Sequence, residues 1–143
     1  MKFNDYYSTV LREIEETLGD IDQTNITYFL KQIMAAQRIF IAGVGRTGLV
    51  MRCFAMRLMH LGIKVQILGD ITTTAASKND LLLIGSGSGE TGSLVSIARK
   101  ADDLGVLTLL ITINPDSTIG NLAHASLKIP APSPKLNHKH ENI

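Results

Sequence analysis

The sequence predicts an α/β fold in which a five-stranded parallel sheet is flanked by helices. Short runs that are apolar at every position alternate with segments whose apolar residues recur at helical spacing. A run without polar positions is typical of a strand buried on both faces of a sheet, and its alternation with helices favours parallel strands joined by right-handed crossovers. The chain has 143 residues, the size of one domain. We therefore expect one three-layer, flavodoxin-like domain with strand order 2-1-3-4-5.

Residues 1–36 are expected to form an N-terminal helical segment ahead of this core. Apolar residues recur at helical spacing over 5–18, where Gly19 is a suitable stop, and a second helix is expected over 24–36. The apolar stripe of the first helix would otherwise face water, so we expect it to pack against another subunit in a homo-oligomer. That stripe consists of Tyr7, Val10, Leu11, Ile14 and Leu18.

The α/β core is expected over residues 37–130, followed by a polar tail over 131–143. All four prolines lie at or after position 115, as expected where helices and buried strands precede them. The expected strands are 38–42, 64–68, 80–85, 106–113 and 126–129, and the expected helices of the core are 47–61 and 93–104.

Composition and charge exclude several classes of function. The chain carries 14 Lys and Arg against 13 Asp and Glu, a net charge of +1, which provides no bulk field to hold a nucleic acid. Aromatic residues make up 5% of the chain, with no tryptophan, so a base-stacking surface is not expected. No apolar run approaches the ~20 residues that span a bilayer, and the N-terminus does not resemble a signal peptide. Cys53, the single cysteine, cannot form an internal disulfide, which favours the cytoplasm.

The first glycine-rich loop, Gly43–Gly48, follows the first expected strand and opens the next helix. Its G-x-G-x-x-G spacing, placed between a strand and a helix, is typical of loops that hold phosphate groups. Glycine lets the backbone turn tightly and approach a ligand, and the helix N-terminus presents unpaired N–H groups with a partial positive charge. The candidate binding residues of this loop are Gly45, Arg46 and Thr47. For Arg46, the alternative is an ordinary surface arginine.

The second loop, Gly85–Gly92, follows the third expected strand and is rich in hydroxyl groups. Its serine and threonine side chains can donate hydrogen bonds to phosphate oxygens, and its glycines free the backbone N–H groups to converge on one point. Neither loop contains the lysine of the nucleoside triphosphate-binding loop, so a monophosphate is favoured over a triphosphate with its metal. The candidate binding residues of this loop are Ser86, Gly87, Ser88, Gly89, Glu90 and Thr91.

Topology is expected to bring the two loops to one crevice. In a sheet of order 2-1-3-4-5 the first and third strands are neighbours, and ligands bind outside the strand ends at this switch point. The alternative for both loops is ordinary turn and N-cap chemistry. For Glu90 we favour a structural role in the first turn of the following helix, where a carboxylate meets the helix dipole, over a catalytic role.

The two loops and their surroundings resemble those of a known family. The segment GSGSGET at 85–91 resembles the phosphate-binding signature of sugar isomerase (SIS) domains. Four further segments resemble the 6-phospho-3-hexuloisomerases within that family, and the resemblance covers about residues 5–135. The four segments are GVGRTG (43–48), RCFAMRLMHLG (52–62), GDITT (69–73) and INPDSTIG (113–120).

The resemblance implies an isomerase that interconverts D-arabino-hex-3-ulose 6-phosphate and fructose 6-phosphate through an enediol(ate). It places this activity in formaldehyde fixation by the ribulose monophosphate route. It also implies that Thr47 and the loop 86–91 hold the substrate, that no cofactor or metal is needed, and that the chain forms a homotetramer or dimer. The family's proton-transfer base lies on a helix after the fifth strand, and residues 132–140 do not match that helix. The catalytic residue is therefore left unassigned, and reduced turnover is expected.

Two other functions stay open at this point. A non-catalytic SIS-type module that senses a phosphosugar would need the two loops but no base. An NAD-binding domain is less favoured: the first loop matches its fingerprint and Asp70 stands where a ribose-binding acid is expected, but the chain is short for such an enzyme and the second loop would have no role. His138 and His140 provide too few ligands for a zinc site, so no metal is expected.

Overall fold

The computed structural model describes residues 2–131 and places a five-stranded parallel sheet at the centre of the molecule. The strands are β1 (Ile39–Gly43), β2 (Val65–Ile67), β3 (Leu81–Gly85), β4 (Leu107–Thr112) and β5 (Ala125–Lys128). The helices are α1 (Phe3–Gly19), α2 (Gln23–Ala35), α3 (Gly45–His60), α4 (Gly92–Asp103) and α5 (Thr118–Leu122). The strand order is β2-β1-β3-β4-β5, and every neighbouring pair is parallel. The predicted fold class and strand order are confirmed. Apart from Ala131, the predicted tail lies outside the described residues.

Successive residues of each strand face opposite layers of the molecule. In β1, Ile39 and Ile41 pack against the layer of α2 and α3, whereas Phe40 and Ala42 pack against the layer of α4 and α5. All four of these side chains are buried, which explains why the strand reads as a continuous apolar run. The sheet is therefore the middle of three layers, with one half of the core on each face.

Two features differ from the sequence-based expectation. The short helix α5 stands between β4 and β5, where no helix was expected, and Ser117 caps it by accepting a hydrogen bond from the N–H of Gly120 at 3.1 Å. A helix of five residues is too short for an apolar period to show in the sequence. In addition, the connection 68–80 between β2 and β3 contains no helix, so strands and helices do not alternate throughout.

A polar cluster at the amino edge of the sheet holds this connection instead. We call it the amino-edge cluster: Arg38, Thr74, Ser77 and Asp80. Arg38 donates from Nε and Nη2 to the carboxylate of Asp80 at 3.0 and 2.7 Å, and from Nη1 to Thr74 Oγ1 at 2.8 Å. The N–H and the hydroxyl of Ser77 donate to the same carboxylate at 2.7 and 3.0 Å. Burial opposes ionisation of Asp80, but the hydrogen bonds from Arg38 and Ser77 outweigh it and hold the pKa of Asp80 below its usual value.

Helix α1 lies outside this core. None of its residues, Phe3–Gly19, is buried, whereas α2 buries Phe29 and Ile33 against the sheet. The apolar stripe predicted for α1 is present and exposed, and its residues Val10, Ile14 and Leu18 line a cavity together with Pro130 and Ala131. No helix within residues 2–131 combines the length and the hydropathy that crossing a membrane requires.

Candidate functional site

The two glycine-rich loops meet at the carboxyl edge of the sheet. β1 and β3 are direct neighbours, and their last residues, Gly43 and Gly85, are paired in the register. The first loop (Gly43–Gly48) continues from β1 into α3, and the second loop (Gly85–Gly92) continues from β3 into α4. The two loops are therefore neighbours at this edge, as the topology required, and we call the space between them the loop crevice.

Three glycines let the first loop and α3 pack closely against the strands. A Cβ atom on Gly48 would lie 2.7 Å from the carbonyl oxygen of Gly43, so strand and helix touch through backbone alone. A Cβ atom on Gly85 would lie 2.6 Å from Met51 Cγ and 3.1 Å from Thr47 Cγ2. The first turns of α3 thus sit directly beside the end of β3, which brings Thr47 next to the start of the second loop.

The second loop is folded by its own hydroxyl groups. Ser86 Oγ accepts a hydrogen bond from the N–H of Gly89 at 3.1 Å, and Ser88 Oγ accepts one from the N–H of Glu90 at 3.2 Å. Gly89 has a positive φ of 67°, a conformation that suits glycine. A hydroxyl that accepts a hydrogen bond still has its own proton to donate, so each serine can hold the loop and bind an anion together.

The segment between β4 and α5 supports the second loop from behind. The carbonyl of Gly87 accepts hydrogen bonds from Thr112 Oγ1 and from the N–H of Ile113, both at 3.1 Å. A Cβ atom on Gly89 would overlap the side chain of Ser117, so only glycine fits against this segment. Thr112 and Ser117 are both buried. They position the loop, and analysis of the sequence missed their role, although INPDSTIG (113–120) marked most of the segment as distinctive.

The role predicted for Glu90 in the first turn of α4 is wrong. α4 begins at Gly92 with Thr91 as its N-cap, so Glu90 precedes the helix and its first turn holds no acidic residue. The carboxylate of Glu90 instead accepts hydrogen bonds from the N–H and the hydroxyl of Thr118, both at 2.7 Å. Glu90 therefore ties the second loop to the N-terminus of α5, a contact between distant segments that local spacing could not reveal.

The two helices at the crevice lack the N-terminal side-chain cap that α2 and α5 carry. The N-terminus of α2 is capped by Asp22, whose carboxylate accepts from the N–H of Thr24 at 2.8 Å, and that of α5 is capped by Ser117. The helices α3 and α4 follow Val44 and Thr91, and neither of these side chains forms a capping hydrogen bond. Two helix N-termini with unpaired N–H groups therefore open at the carboxyl edge, where they favour an anion.

The second loop adds further donors to the crevice. Within residues 2–131, the N–H groups of Gly87, Ser88 and Thr91 have no hydrogen-bond acceptor. Successive N–H groups of this kind, next to a helix N-terminus, form a concave anion-binding arrangement. Together with the hydroxyls of Ser88 and Thr91, which are half-buried, they can surround a phosphate group.

The remaining predicted site residues differ in their exposure to solvent. Gly45, Arg46 and Thr47 are exposed in the first turn of α3, and Gly45 has a positive φ of 58°. Among the described residues Arg46 has no ion-pair partner, so its guanidinium is available to an anion. Ser86 is only 4% exposed. Its main role is therefore to accept the hydrogen bond from Gly89 within the loop, and contact with a ligand is secondary.

Asp70, the acid that an NAD-binding interpretation required, is already paired with an arginine. Its carboxylate oxygen Oδ1 lies 2.9 Å from Arg52 Nη2 on α3. No group of three or more metal-ligating side chains is placed to hold a metal within residues 2–131. Residues 132–140, which do not match the family's base-carrying helix, lie outside the described residues, His138 and His140 among them.

A strand, a glycine loop and a helix, repeated on adjacent parallel strands and supplied with hydroxyl and N–H donors, are typical of α/β domains that bind phosphate groups. The SIS domain model matches residues 32–138. The chain belongs to the SIS domain family.

Within this family the chain is similar to proteins named 3-hexulose-6-phosphate isomerase. The protein of that name from Bacillus subtilis is 38% identical over all of this chain and 78% of its own length. The one from Mycobacterium gastri is 44% identical over 92% of this chain and 65% of its own length.

Two solved structures show how closely the fold is shared. A protein from Methanococcus jannaschii, for which a function of 3-hexulose-6-phosphate isomerase was inferred, is 36% identical with a TM-score of 0.75, over 80% of this chain and 64% of that one. The NanR protein of Vibrio vulnificus, in complex with ManNAc-6P, has a TM-score of 0.80 at 22% identity, over 91% of this chain and 51% of that one. The second likeness concerns the fold alone.

Proposed function

We propose that this chain binds a ketohexose 6-phosphate in the loop crevice and acts in the interconversion of 3-hexulose 6-phosphate and fructose 6-phosphate. The observation that carries the proposal is the pair of uncapped helix N-termini, α3 and α4, at the ends of adjacent strands. The similarity to proteins named 3-hexulose-6-phosphate isomerase supports this substrate.

The phosphate is assigned to the second loop and the first turn of α4. Ser88 and Thr91 donate from their hydroxyls, and the unpaired N–H groups of Gly87, Ser88 and Thr91 donate from the backbone. Arg46 and Thr47 approach the sugar phosphate from the opposite loop. Because these donors are fixed by the loop's internal hydrogen bonds, little ordering entropy is lost on binding.

The reaction moves a carbonyl from C3 to C2 of the sugar. A base removes the proton from C2 and an enediol(ate) forms across C2 and C3. The hydroxyl proton then passes from O2 to O3, and a proton is returned to C3. A side chain whose pKa lies near the working pH can perform this transfer. The base is not assigned to a described residue, and the role assigned to residues 2–131 is to bind and orient the phosphosugar.

We also propose that the chain self-associates through the exposed face of α1, because seven large apolar side chains of that helix are 45–80% exposed. Surfaces of this kind mark protein contacts. The division into a helical segment (1–36), an α/β core (37–130) and a tail (131–143) is proposed on the same sequence argument. A cytoplasmic location and a place in the ribulose monophosphate route stay predictions.

The proposal is tested by titrating fructose 6-phosphate into the chain and its Ser88→Ala variant, followed by calorimetry. A hydrogen bond to a charged group contributes about 1.5–3 kcal/mol, so Ser88→Ala is expected to weaken binding about tenfold or more. Ser96→Ala, which removes a hydroxyl bonded to the carbonyl of Gly92 on α4, is the matched control and should leave affinity unchanged. Equal affinities of the Ser88 variant and the unaltered chain would place the phosphate elsewhere.

Turnover is measured on the same preparation in a coupled assay with 3-hexulose 6-phosphate. Turnover that falls in parallel with affinity in Ser88→Ala supports the isomerase. Binding of fructose 6-phosphate without any turnover would instead favour a phosphosugar-sensing module.

A further inference from the structure

Three successive carbonyl groups of the second loop accept hydrogen bonds from one segment of the chain, residues 112–119. This segment runs from the end of β4 into α5. The donors are Thr112 Oγ1 and the N–H of Ile113 to Gly87, Asn114 Nδ2 to Ser88, and the N–H of Ile119 to Gly89. These hydrogen bonds are 3.1–3.4 Å long. The second loop therefore turns a row of carbonyl groups toward the β4 side of the molecule.

The direction of these carbonyl groups sets the direction of the N–H groups that follow them. In a planar trans peptide unit, the carbonyl and the N–H of the next residue point in opposite directions. The carbonyl of Gly87 points toward Thr112 and Ile113, from which it accepts hydrogen bonds. The N–H of Ser88 belongs to the same peptide unit, so it points away from these two residues.

The N–H of Ser88 differs from those of the next two residues in having no acceptor within residues 2–131. The N–H groups of Gly89 and Glu90 are used within the loop, where they donate to the hydroxyls of Ser86 and Ser88. Strand β3 lies between β1 and β4 in the sheet, so a group that points away from the β4 side points toward β1 and the first loop. The N–H of Ser88 therefore faces the loop crevice.

We propose that Thr112 is a positioning residue of the phosphosugar site, which acts by turning the N–H of Ser88 toward the phosphate group. The inference rests on the proposed function and adds to the site a residue that lies outside both glycine-rich loops. Thr112 is the last residue of β4 and is 2% exposed. It therefore influences the ligand through the peptide unit between Gly87 and Ser88 and not by direct contact.

The hydroxyl of Thr112 is itself held in place by hydrogen bonds. Its oxygen accepts from the N–H of Asn114 at 3.1 Å, and it donates to the carbonyl of Gly87 at 3.1 Å, with the carbonyl of Asn114 slightly farther away at 3.3 Å. Because the side chain is buried, water does not readily replace a lost hydrogen bond. Without this hydroxyl, the carbonyl of Gly87 keeps only the N–H of Ile113, and the peptide unit can tilt.

The test compares two substitutions in β4 by calorimetric titration of fructose 6-phosphate. Thr112→Val replaces the hydroxyl with a methyl group and removes the donor to Gly87, so the dissociation constant should rise roughly three- to tenfold. Thr108→Val is the matched control: Thr108 is 1% exposed and donates its hydroxyl proton to the carbonyl of Val106 at 3.3 Å. Both variants lose one buried hydrogen bond, but Thr108→Val should leave the affinity unchanged.

Thr112→Ser keeps the hydroxyl and should recover the affinity that Thr112→Val loses. In the 15N-labelled chain without ligand, the amide signal of Ser88 should move in Thr112→Val and stay in place in Thr108→Val, which separates positioning from a general loss of stability. Melting temperatures check that each variant is folded. Unchanged affinity of Thr112→Val, or equal losses in Thr112→Val and Thr108→Val, would overturn the inference. Equal losses in Thr112→Ser and Thr112→Val would overturn it as well.

Inorganic phosphate separates this inference from the proposed function, because it carries the anion without the sugar. Phosphate should shift the amide signal of Ser88 in the unaltered chain and shift it less in Thr112→Val. If it does so while fructose 6-phosphate fails to bind, the role of Thr112 is supported and the proposed ligand is contradicted. If the unaltered chain and Thr112→Val bind fructose 6-phosphate equally well, the ligand stands and the role of Thr112 is overturned. An amide signal of Ser88 that responds to neither compound would overturn both.

Discussion

The two edges of the sheet both carry polar groups, but they use them in opposite ways. At the amino edge, the carboxylate of Asp80 is 2% exposed and receives four hydrogen bonds from Arg38 and Ser77. At the carboxyl edge, the N–H groups of Gly87, Ser88 and Thr91 have no acceptor within residues 2–131. The buried carboxylate at the amino edge is hydrogen-bonded within the protein, whereas the N–H donors at the carboxyl edge are free to bind an anion.

The difference separates residues that stabilise the fold from residues that bind. Removing one partner of a buried ion pair destabilises the fold because the other charge is left uncompensated. Donors that are left without an acceptor in the protein can bind a ligand without first breaking a hydrogen bond of the fold. Substitutions at the two edges should therefore affect different measurements, one the free energy of unfolding and the other the affinity for a phosphosugar.

The largest expected effect is that of Gly89→Ala, which should impair both measurements. Its Cβ atom would overlap Ser117, and its φ of 67° is unfavourable for alanine. The left-handed conformation costs about 1–2 kcal/mol, and overpacking adds about 1–3 kcal/mol. Urea unfolding and calorimetry are expected to show a loss of about 3 kcal/mol in stability and loss of measurable fructose 6-phosphate binding.

Gly62→Ala separates the two causes of this loss. Gly62 also has a positive φ, 82°, but no atom lies within 4 Å of its Cβ position. Gly62→Ala should therefore lower the free energy of unfolding only by the conformational contribution, about 1–2 kcal/mol. Its affinity for fructose 6-phosphate should be unchanged. Equal losses in the two variants would contradict the close packing of Gly89 on Ser117.

The next effect in size is that of Asp80→Asn, which should reduce stability without changing affinity. Breaking a buried ion pair costs about 3–5 kcal/mol, and the partial exposure of Arg38, whose side chain is 26% exposed, brings our expectation to about 2–3 kcal/mol. Asp70→Asn is the matched control because it removes an exposed ion pair, with Arg52, for which less than about 1 kcal/mol is expected. Weaker phosphosugar binding by the Asp80 variant would contradict the expectation that substitutions at the amino edge affect stability alone.

The amino-edge cluster also predicts a pH dependence of stability. The pKa of Asp80 is lower in the folded chain than its ordinary value of 3.8, so the folded state keeps this carboxylate ionised where the unfolded state protonates it. Its contribution is complete above about pH 5 and is lost progressively as the pH falls through the ordinary pKa of an aspartate toward the lower pKa of the folded state. Urea unfolding between pH 3 and pH 6, about the range that brackets this value, should show a smaller decline in Asp80→Asn than in the unaltered chain. Parallel declines would contradict the assignment.

A smaller effect is expected for Glu90→Gln at the carboxyl edge. Glutamine can still accept from the N–H of Thr118 and donate to its hydroxyl oxygen, but it lacks the negative charge that strengthens both hydrogen bonds. The second loop is then held less firmly, and affinity for fructose 6-phosphate should fall by roughly three- to tenfold, about 1 kcal/mol. Thr118→Ser, which keeps both donors, is the control that should bind as the unaltered chain does. A Glu90 variant of unchanged affinity would show that the loop does not depend on this contact.

Sequence patterns predicted the sheet because its strands follow a local rule. The central strands β1 and β3 are continuous apolar runs buried on both faces, so they could be predicted from their own residues. The glycine loops followed from the same local logic, as strand, glycines and helix in succession. Contacts between distant segments could not be predicted. They are the ion pair of Arg38 with Asp80, the hydrogen bonds of Glu90 with Thr118, and the close packing of Gly89 against Ser117. These contacts depend on which loops the folded chain brings together, so the spacing of residues within one segment does not predict them.

Amide chemical shifts test the central claim most directly, the claim that the carboxyl edge binds the phosphate group of a sugar. Fructose 6-phosphate and fructose are titrated separately into the 15N-labelled chain. The account predicts that the phosphosugar shifts the amide signals of Gly87, Ser88 and Thr91, that fructose leaves them in place, and that Ser77 and Asp80 at the amino edge do not move with either. Equal responses to the two sugars, or shifts confined to the amino edge, would contradict it.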